Sequence, residues 1–287
     1  MTHDVRDRIF ESLSGRRFAA SIVAAEDGIV AGVSGALSEA MAVGCTVHPV
    51  AADGEFVEAG ATLIELIGSP KELAMAEECV IGALAKPSGI ATATRSLVDA
   101  AGPHLQIVGG GWKKMPGLMR EMVRHALSVG GAHPAIDETP FLYLDKNYVR
   151  MFGGVAATLK AVDAMTGFLK VIQIGDNGFS LEEETRTAVQ YGASTVFVDT
   201  GDMDDLSCVI DTLEKLSARD RVRVAFGGGV QLEHIDDLVR LGVDALCIGR
   251  AIVDAPLLDM RMEITTPKRK HSETMQNAEQ NKGLTQA

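Results

Sequence analysis

Residues Val222–Ile235 read "VRVAFGGGVQLEHI", and Ala245–Ile252, a short way on, read "ALCIGRAI". Each stretch opens with an apolar run of strand length and ends on glycine: Gly227, Gly228 and Gly229 in the first, Gly249 beside Arg250 in the second. Between them "LEHIDDLVRLG" has helical spacing and closes on a glycine, as a helix C-terminus does. Strand, glycine loop, helix, strand, glycine loop is the unit of a parallel α/β sheet. Successive bare amides at such strand ends bind phosphate, and the loops after the last two strands of an α/β barrel are its usual phosphate site. Arg250 adds a charge-assisted bond. Glycines that only permit tight turns are the plainer reading, but both halves stand here in the order a phosphate site needs.

The rhythm extends backwards. Further candidate strands are Leu105–Val108, Phe141–Leu144, Leu169–Ile174 and Thr195–Val198, joined by amphipathic stretches such as "SLEEETRTAVQYGA" and "DDLSCVIDTLEKLSA"; the strand before the three glycines spans Arg221–Phe226. This many units over residues 103–264 favour a barrel over an open sheet, with the chemistry at the C-terminal strand ends. Those ends include "VGGGWKKMPGLM", Val108–Met119, where a glycine run meets the only tryptophan and two lysines. As a single copy this is a surface turn; among the other strand ends it is an anion site. Asp199, ending "STVFVD", suits Mg²⁺ or a ribose hydroxyl, since magnesium is held by one or two carboxylates together with substrate phosphates. The plainer reading is a helix N-cap for the segment beginning near Asp204, a role that Thr200 or Asp202 could fill equally well. Asp176 and Asn177 stand at the preceding strand end and could complete a metal site.

The first hundred residues differ. "AASIVAA", "GIVAGV", "CTVHPV" and "DGEFVEAGATLIELIGS" alternate turns and short strands, a small mixed sheet with a helix at Leu37–Val43. From Glu72 to about Ala101 the spacing is helical, interrupted at Pro87–Gly89, so one bent helix or two connect residues 1–102 to the barrel. Residues 265–287 are polar and aperiodic, a tail expected to be disordered.

The chain has 287 residues, a net charge of −12 and no basic stripe, which argues against nucleic acid or an anionic membrane. Four scattered cysteines, Cys45, Cys79, Cys208 and Cys247, give neither a zinc knuckle nor a disulfide framework. A charged N-terminus and the lack of any long apolar run point to the cytoplasm.

Four features in order carry a resemblance: "GEFVEAGATLIELIGS" at Gly54–Ser69, "SGIATAT" at Ser88–Thr94, "KKMPGLM" at Lys113–Met119, and the pair "AFGGGV" and "IGRAI". From about Arg16 to Ile264 the chain resembles the quinolinate phosphoribosyltransferase, or nicotinate-nucleotide pyrophosphorylase, family. The resemblance implies an N-terminal open-faced α/β sandwich followed by an incomplete α/β barrel. It also implies a homodimer or larger oligomer with sites between subunits. The implied glycosyltransferase joins a pyridine nitrogen to the ribose of phosphoribosyl pyrophosphate, releases pyrophosphate with Mg²⁺, and then loses a carboxylate. Lys113 and Asp199 take catalytic roles, Asp199 also as metal ligand; Gly227, Gly228, Gly229, Gly249 and Arg250 hold the phosphate.

The acceptor side departs from the family pattern. The loop reads Asp-Thr-Arg-Lys-Thr-Leu-Pro-Gly in the family; its lysine falls on Lys113, its arginine on Trp112 and its aspartate on Gly110. An arginine of the long helix, implied to reach the neighbouring subunit, falls on Glu78. An Asn-His-Arg segment leaves His133 and Pro134 with Ala135 in place of arginine. A lysine falls on Asp145, with Lys146 next door and Asn147 matching. Trp112, His133, Asp145, Lys146 and Glu78 therefore become the candidate acceptor residues, and a buried quinolinate carboxylate left unpaired would be costly. Trp112 either stacks a neutral or cationic ring or fills a hydrophobic gap. The leading expectation is a transferase whose acceptor is not quinolinate. The alternatives are a noncatalytic nucleotide- or phosphate-binding relative, and another reaction on a phosphorylated sugar with Lys114 or Lys146 as base.

Overall fold

The computed structural model describes residues 4–175 and 178–265. Asp176, Asn177 and residues 266–287 of the polar tail lie outside the described residues. A short helix α1 (Val5–Ile9) precedes β1 (Phe18–Ala24), β2 (Gly28–Ile29), α2 (Val33–Ala42), β3 (Thr46–Pro49), β4 (Phe56–Val57) and β5 (Thr62–Gly68). β5 pairs antiparallel with both β1 and β3. Alternation along these strands buries Ala20, Ile22, Ile64 and Leu66 on one face, beneath α2, and leaves Glu65 and Ile67 exposed on the other. This is the open face. α2 starts four residues ahead of the expected Leu37, after Gly32 turns the chain at φ +93°.

The connection to the barrel is one helix, α3 (Pro70–Ala101). Ser69 and Glu72 form a reciprocal capping box at its start, with Pro70 in the first turn, so the N-terminal amides are satisfied. Pro87 lies inside it and removes one helical hydrogen bond, that to Ala83 O. Gly32 packs directly against this carbonyl, where a Cβ would come within 2.4 Å of the oxygen. Just beyond Pro87, Ser88 Oγ accepts from Ala31 N at 2.9 Å and Thr92 Oγ1 accepts from Ile29 N at 2.8 Å. These contacts hold the helix through its proline. Its first half, with Leu73, Val80 and Leu84, fills the N-terminal core, and its second half, with Ile90 and Leu97, fills the barrel core.

The barrel strands are β6 (Gln106–Gly109), β7 (Phe141–Leu144), β8 (Leu169–Ile174), β9 (Thr195–Val198), β10 (Arg223–Gly227) and β11 (Ala245–Ile248). Between them lie α4 (Gly117–Gly130), α5 (Lys146–Phe152), α6 (Val155–Ala161), α7 (Leu181–Gln190), α8 (Met203–Lys215) and α9 (Ile235–Leu241), and α10 (Arg250–Val253) follows. The strands are parallel in the order β6-β11-β10-β9-β8-β7, a curled sheet open between β6 and β7. The open α/β sandwich and incomplete barrel are thus both present. β10 begins two residues later than the expected Arg221, because Val222 N–H closes a turn on Ala218 O. Period two separates the faces: Ile172, Val196, Val224 and Leu246 pack outward on the helices, whereas Val171, Phe197, Ala225 and Ala245 fill the barrel interior.

A last strand, β12 (Met260–Thr265), corrects the domain boundaries. It was expected within the barrel unit of residues 103–264, but it returns to pair antiparallel with β1 as the edge of the N-terminal sheet. The chain therefore leaves the N-terminal unit through α3 and re-enters it, and the joint lies inside α3 rather than after Gly102. Around that joint Gly89 presses on Pro256, and Lys86 Nζ donates to Val253 O at 2.9 Å and Ala255 O at 2.7 Å.

Candidate active site

A cavity of about 970 Å³ opens at the C-terminal ends of β6, β7, β9, β10 and β11. One side is backbone. Gly228 and Gly229, both at positive φ, line it beside Gly249 and Arg250 at the end of the neighbouring strand. Gly228 must be glycine for a second reason: a Cβ there would stand 2.4 Å from Gly201 N. Gly227 does not line the cavity; its carbonyl accepts from Gly201 N at 3.0 Å and ties two strand ends together. Arg250 lies in an exposed ion pair with Asp254 at 3.4 Å and is available to an anion.

The floor is apolar and aromatic. Phe141, Tyr143, Phe197, Ile136 and Cys247 point inward, with the Tyr143 and Phe197 rings 6.0 Å apart at 47°. Burial, followed by the nearby Cys247, Asp199 and Asp145, pushes the Tyr143 phenol well above its ordinary pKa, so it stays a neutral donor. Burial likewise pushes the Cys247 thiol up, which leaves it unreactive as a nucleophile.

Asp199 stands at the mouth between these halves. Desolvation raises its carboxyl pKa, and Lys146, Lys113 and Lys114 pull it back in that order. Among the described residues, no group of three metal-ligating side chains accompanies it. Asp202, not Asp199, caps the following helix by accepting from Asp204 N at 2.8 Å, which resolves the capping alternative. Gln173, inward on β8 and buried, was not singled out from sequence: its Nε2 donates to Asp199 Oδ2 at 3.4 Å and its Oε1 accepts from Lys146 N at 3.2 Å. The period-two inward register of β8 was the available signal. Lys113 and Lys114 occupy a 3₁₀ turn over Gly111–Lys114, and Lys113 Nζ lies 5.7 Å from the Tyr143 ring centre.

The remaining acceptor candidates separate. Trp112 lines the cavity, as does Ala135. Glu78 does not: its side chain is exposed on the first half of α3, ion-paired at 2.5 Å with Arg6 of its own chain. Asp145 caps α5 by accepting from Asn147 N and Tyr148 N, so one carboxylate oxygen is engaged by backbone. His133 hydrogen-bonds through its backbone to β6, and its side chain lines a different depression, with His104, Asp137 and Arg223 at the N-terminal strand ends. Four of the five candidates thus lie outside the cavity wall of their own chain, Lys146 among them contributing through its charge and its backbone. Within one chain, neither Glu78 nor Asp145 adds a carboxylate to the wall of this cavity.

Glycine-rich strand ends and a carboxylate flanked by lysines thus stand together at the mouth of an incomplete parallel barrel. The chain belongs to the quinolinate phosphoribosyltransferase family: the model of the family's N-terminal domain matches residues 7–88 and that of its C-terminal domain residues 90–263. The joint between the two falls inside α3, as the structure has it. Among similar curated proteins, a probable nicotinate-nucleotide pyrophosphorylase [carboxylating] of Methanothermobacter thermautotrophicus is 25% identical over 256 residues, covering 87% of this chain and 89% of the relative. The quinolinate phosphoribosyltransferase [decarboxylating] 2 of Nicotiana glauca is 28% identical over 265 residues, covering 86% of this chain and 73% of that protein. The crystal structure of NadC from Streptococcus pyogenes superposes with a TM-score of 0.77 at 20% identity, covering 92% of this chain and 91% of that one. No helix of the described residues is long and apolar enough to cross a membrane.

Proposed function

We propose that this protein is a phosphoribosyltransferase that joins the ring nitrogen of an aromatic heterocycle to the ribose of phosphoribosyl pyrophosphate, releasing pyrophosphate, and that its acceptor carries fewer carboxylates than quinolinate. The observation that carries the reading is the two-sided cavity: bare glycine amides, Arg250, Asp199 and two lysines on one side, an aromatic floor on the other. Family membership supports the transferase. The choice of acceptor rests on the cations present: among the described residues Arg250 is the one arginine lining the cavity, and it stands on the glycine side. A dianion on the aromatic floor would leave a desolvated carboxylate without a guanidinium partner.

In this reading Gly228, Gly229, Gly249 and Arg250 hold the 5-phosphate. Lys113 and Lys114 neutralise charge that develops on the departing pyrophosphate. Asp199, a single carboxylate beside that group, suits Mg²⁺, which would be held jointly with substrate phosphate and would supply further charge neutralisation. Tyr143 and Phe197 take the planar acceptor, whose nitrogen lone pair forms the bond to the ribose carbon as the bond to pyrophosphate breaks. The protein is proposed to act in the cytoplasm as a homodimer or larger oligomer.

The test is calorimetric titration of phosphoribosyl pyrophosphate with Mg²⁺, followed by pyrophosphate release with quinolinate, nicotinate and nicotinamide. Binding of phosphoribosyl pyrophosphate, with turnover of a less charged ring at about ten times the quinolinate rate or more, is the expected result; one unpaired buried charge accounts for that factor. Quinolinate as the best acceptor overturns the acceptor assignment. Failure to bind phosphoribosyl pyrophosphate at millimolar concentration overturns the transferase.

A further inference from the structure

The indole of Trp112 is not a free plate for an acceptor. Arg124 on α4 holds its guanidinium carbon 3.8 Å from the centre of the ring. One turn earlier, Arg120 Nε donates to Met115 O at 3.0 Å and its Nη2 to Lys113 O at 3.4 Å. Residues four apart on a helix share a face, so one face of α4 grips the same 3₁₀ turn twice, once by its ring and once by its carbonyls. The opposite side of the turn is also fixed. Gly110 N donates to Ile248 O at 2.9 Å, and Gly111 is so close to the β11 end that a Cβ would come within 3.0 Å of Gly249 O and 2.6 Å of Val253 Cγ2.

The turn carrying Lys113 and Lys114 is therefore wedged between α4 and the strand end that carries Gly249. Without the arginines, its α4 side would be held mainly by the partial packing of Trp112 on the barrel core. We infer that Arg124 and Arg120 are positioning residues: they clamp the Gly111–Lys114 turn and aim its two lysines at Asp199, and Trp112 is the handle by which Arg124 does so. The planar guanidinium is the active feature at Arg124, because a lysine ammonium cannot stack face to face on an indole. The aim of the lysines matters to turnover only if the transferase reading holds; the clamp itself does not depend on it.

The chain's single tryptophan makes the clamp measurable without any ligand. Acrylamide quenching of Trp112 fluorescence is expected to rise about twofold or more in Arg124→Gln and in Arg124→Lys, since the stacked ring face opens to solvent. Arg120→Gln is expected to raise it less. In turnover, Arg124→Gln is expected to lower kcat about tenfold or more with the Kd of phosphoribosyl pyrophosphate within about threefold of wild type, because misaimed lysines act on the departing group and not on the glycine cradle. Unchanged quenching in Arg124→Gln overturns the clamp. Changed quenching with unchanged kcat, or full recovery of kcat in Arg124→Lys, overturns the positioning role. A wild-type protein that binds no phosphoribosyl pyrophosphate overturns the transferase reading and the lysine-aiming role with it, while the quenching comparison still decides the clamp.

Discussion

Gly201 and Gly228 meet backbone to backbone at the mouth of the barrel: a Cβ on Gly201 would lie 2.0 Å from Gly228 O, and one on Gly228 would lie 2.4 Å from Gly201 N. The loop after β9, which carries Asp199, and the loop after β10, which carries Gly228 and Gly229, are thus held in contact by two absent side chains. Gly228→Ala is expected to separate them, weakening phosphoribosyl pyrophosphate about tenfold or more in a calorimetric titration. Gly229→Ala meets no atom within 4 Å and is strained only by its φ of +95°. It is expected to cost about 1–2 kcal/mol in denaturant unfolding, with a smaller loss of affinity.

Removing the charge of Asp199 has opposite effects on stability and on activity. Its carboxyl pKa is raised in the folded state, chiefly by desolvation. A carboxyl raised on folding destabilises the fold when ionised, and the penalty vanishes below the unfolded-state value. Asp199→Asn is therefore expected to raise Tm at pH 7 and to lose that advantage as pH falls below about 4, while abolishing turnover. Thermal melts across pH check the first part and pyrophosphate release the second.

Gln173 is expected to set the acid limb of activity. Its amide donates to the ionised form of Asp199, and a donor to the charged form lowers a carboxyl pKa. Gln173→Leu removes that donor, so the Asp199 pKa rises further and the acid limb of kcat/KM moves to higher pH. The substitution also leaves Lys146 N without its side-chain acceptor, at a cost of about 1–3 kcal/mol in unfolding free energy. An acid limb that stays in place would show that Asp199 does not govern it.

Tyr143 is expected to read the acceptor. The phenol is held neutral on the cavity floor beside Phe197, so Tyr143→Phe keeps the ring wall and removes one donor. The expected outcome is a KM for the acceptor raised about fivefold to tenfold, with the Kd of phosphoribosyl pyrophosphate unchanged. Equal acceptor KM values in the two proteins would show that the hydroxyl makes no contact with it.

The joint between the two units is expected to be sensitive to a single methyl group. Gly89 packs so closely that a Cβ would stand 1.9 Å from Pro256 O. Gly89→Ala displaces the segment that carries the chain from α10 back to β12, and is expected to cost about 2 kcal/mol or more in denaturant unfolding.

The parallel barrel was legible along the chain, because strand and helix periods repeat and each strand closes on a recognisable end. The placing of Gly228, Gly229, Gly249, Lys113 and Asp199 at one mouth of the barrel was legible too, since C-terminal strand ends can be located by counting along the chain. Contacts between segments distant in sequence were decided only by the tertiary structure. Met260–Thr265 has the length of any strand, and its return to β1 depends on which sheet edge stands open. Pro87 signals a break, yet α3 runs through it because Gly32, Ser88 and Thr92 meet β2 and its flanks. The acceptor side shows the same limit most clearly. Asp145 reads as a site carboxylate along the chain, but the α5 amides engage it outside the cavity wall, and Glu78 pairs with Arg6 of the same chain. Trp112 reads as an open plate until Arg124, twelve positions along the chain, folds over its face. Electrostatic partnership and stacking are decided over a few ångströms in space, and spacing along the chain does not encode that distance.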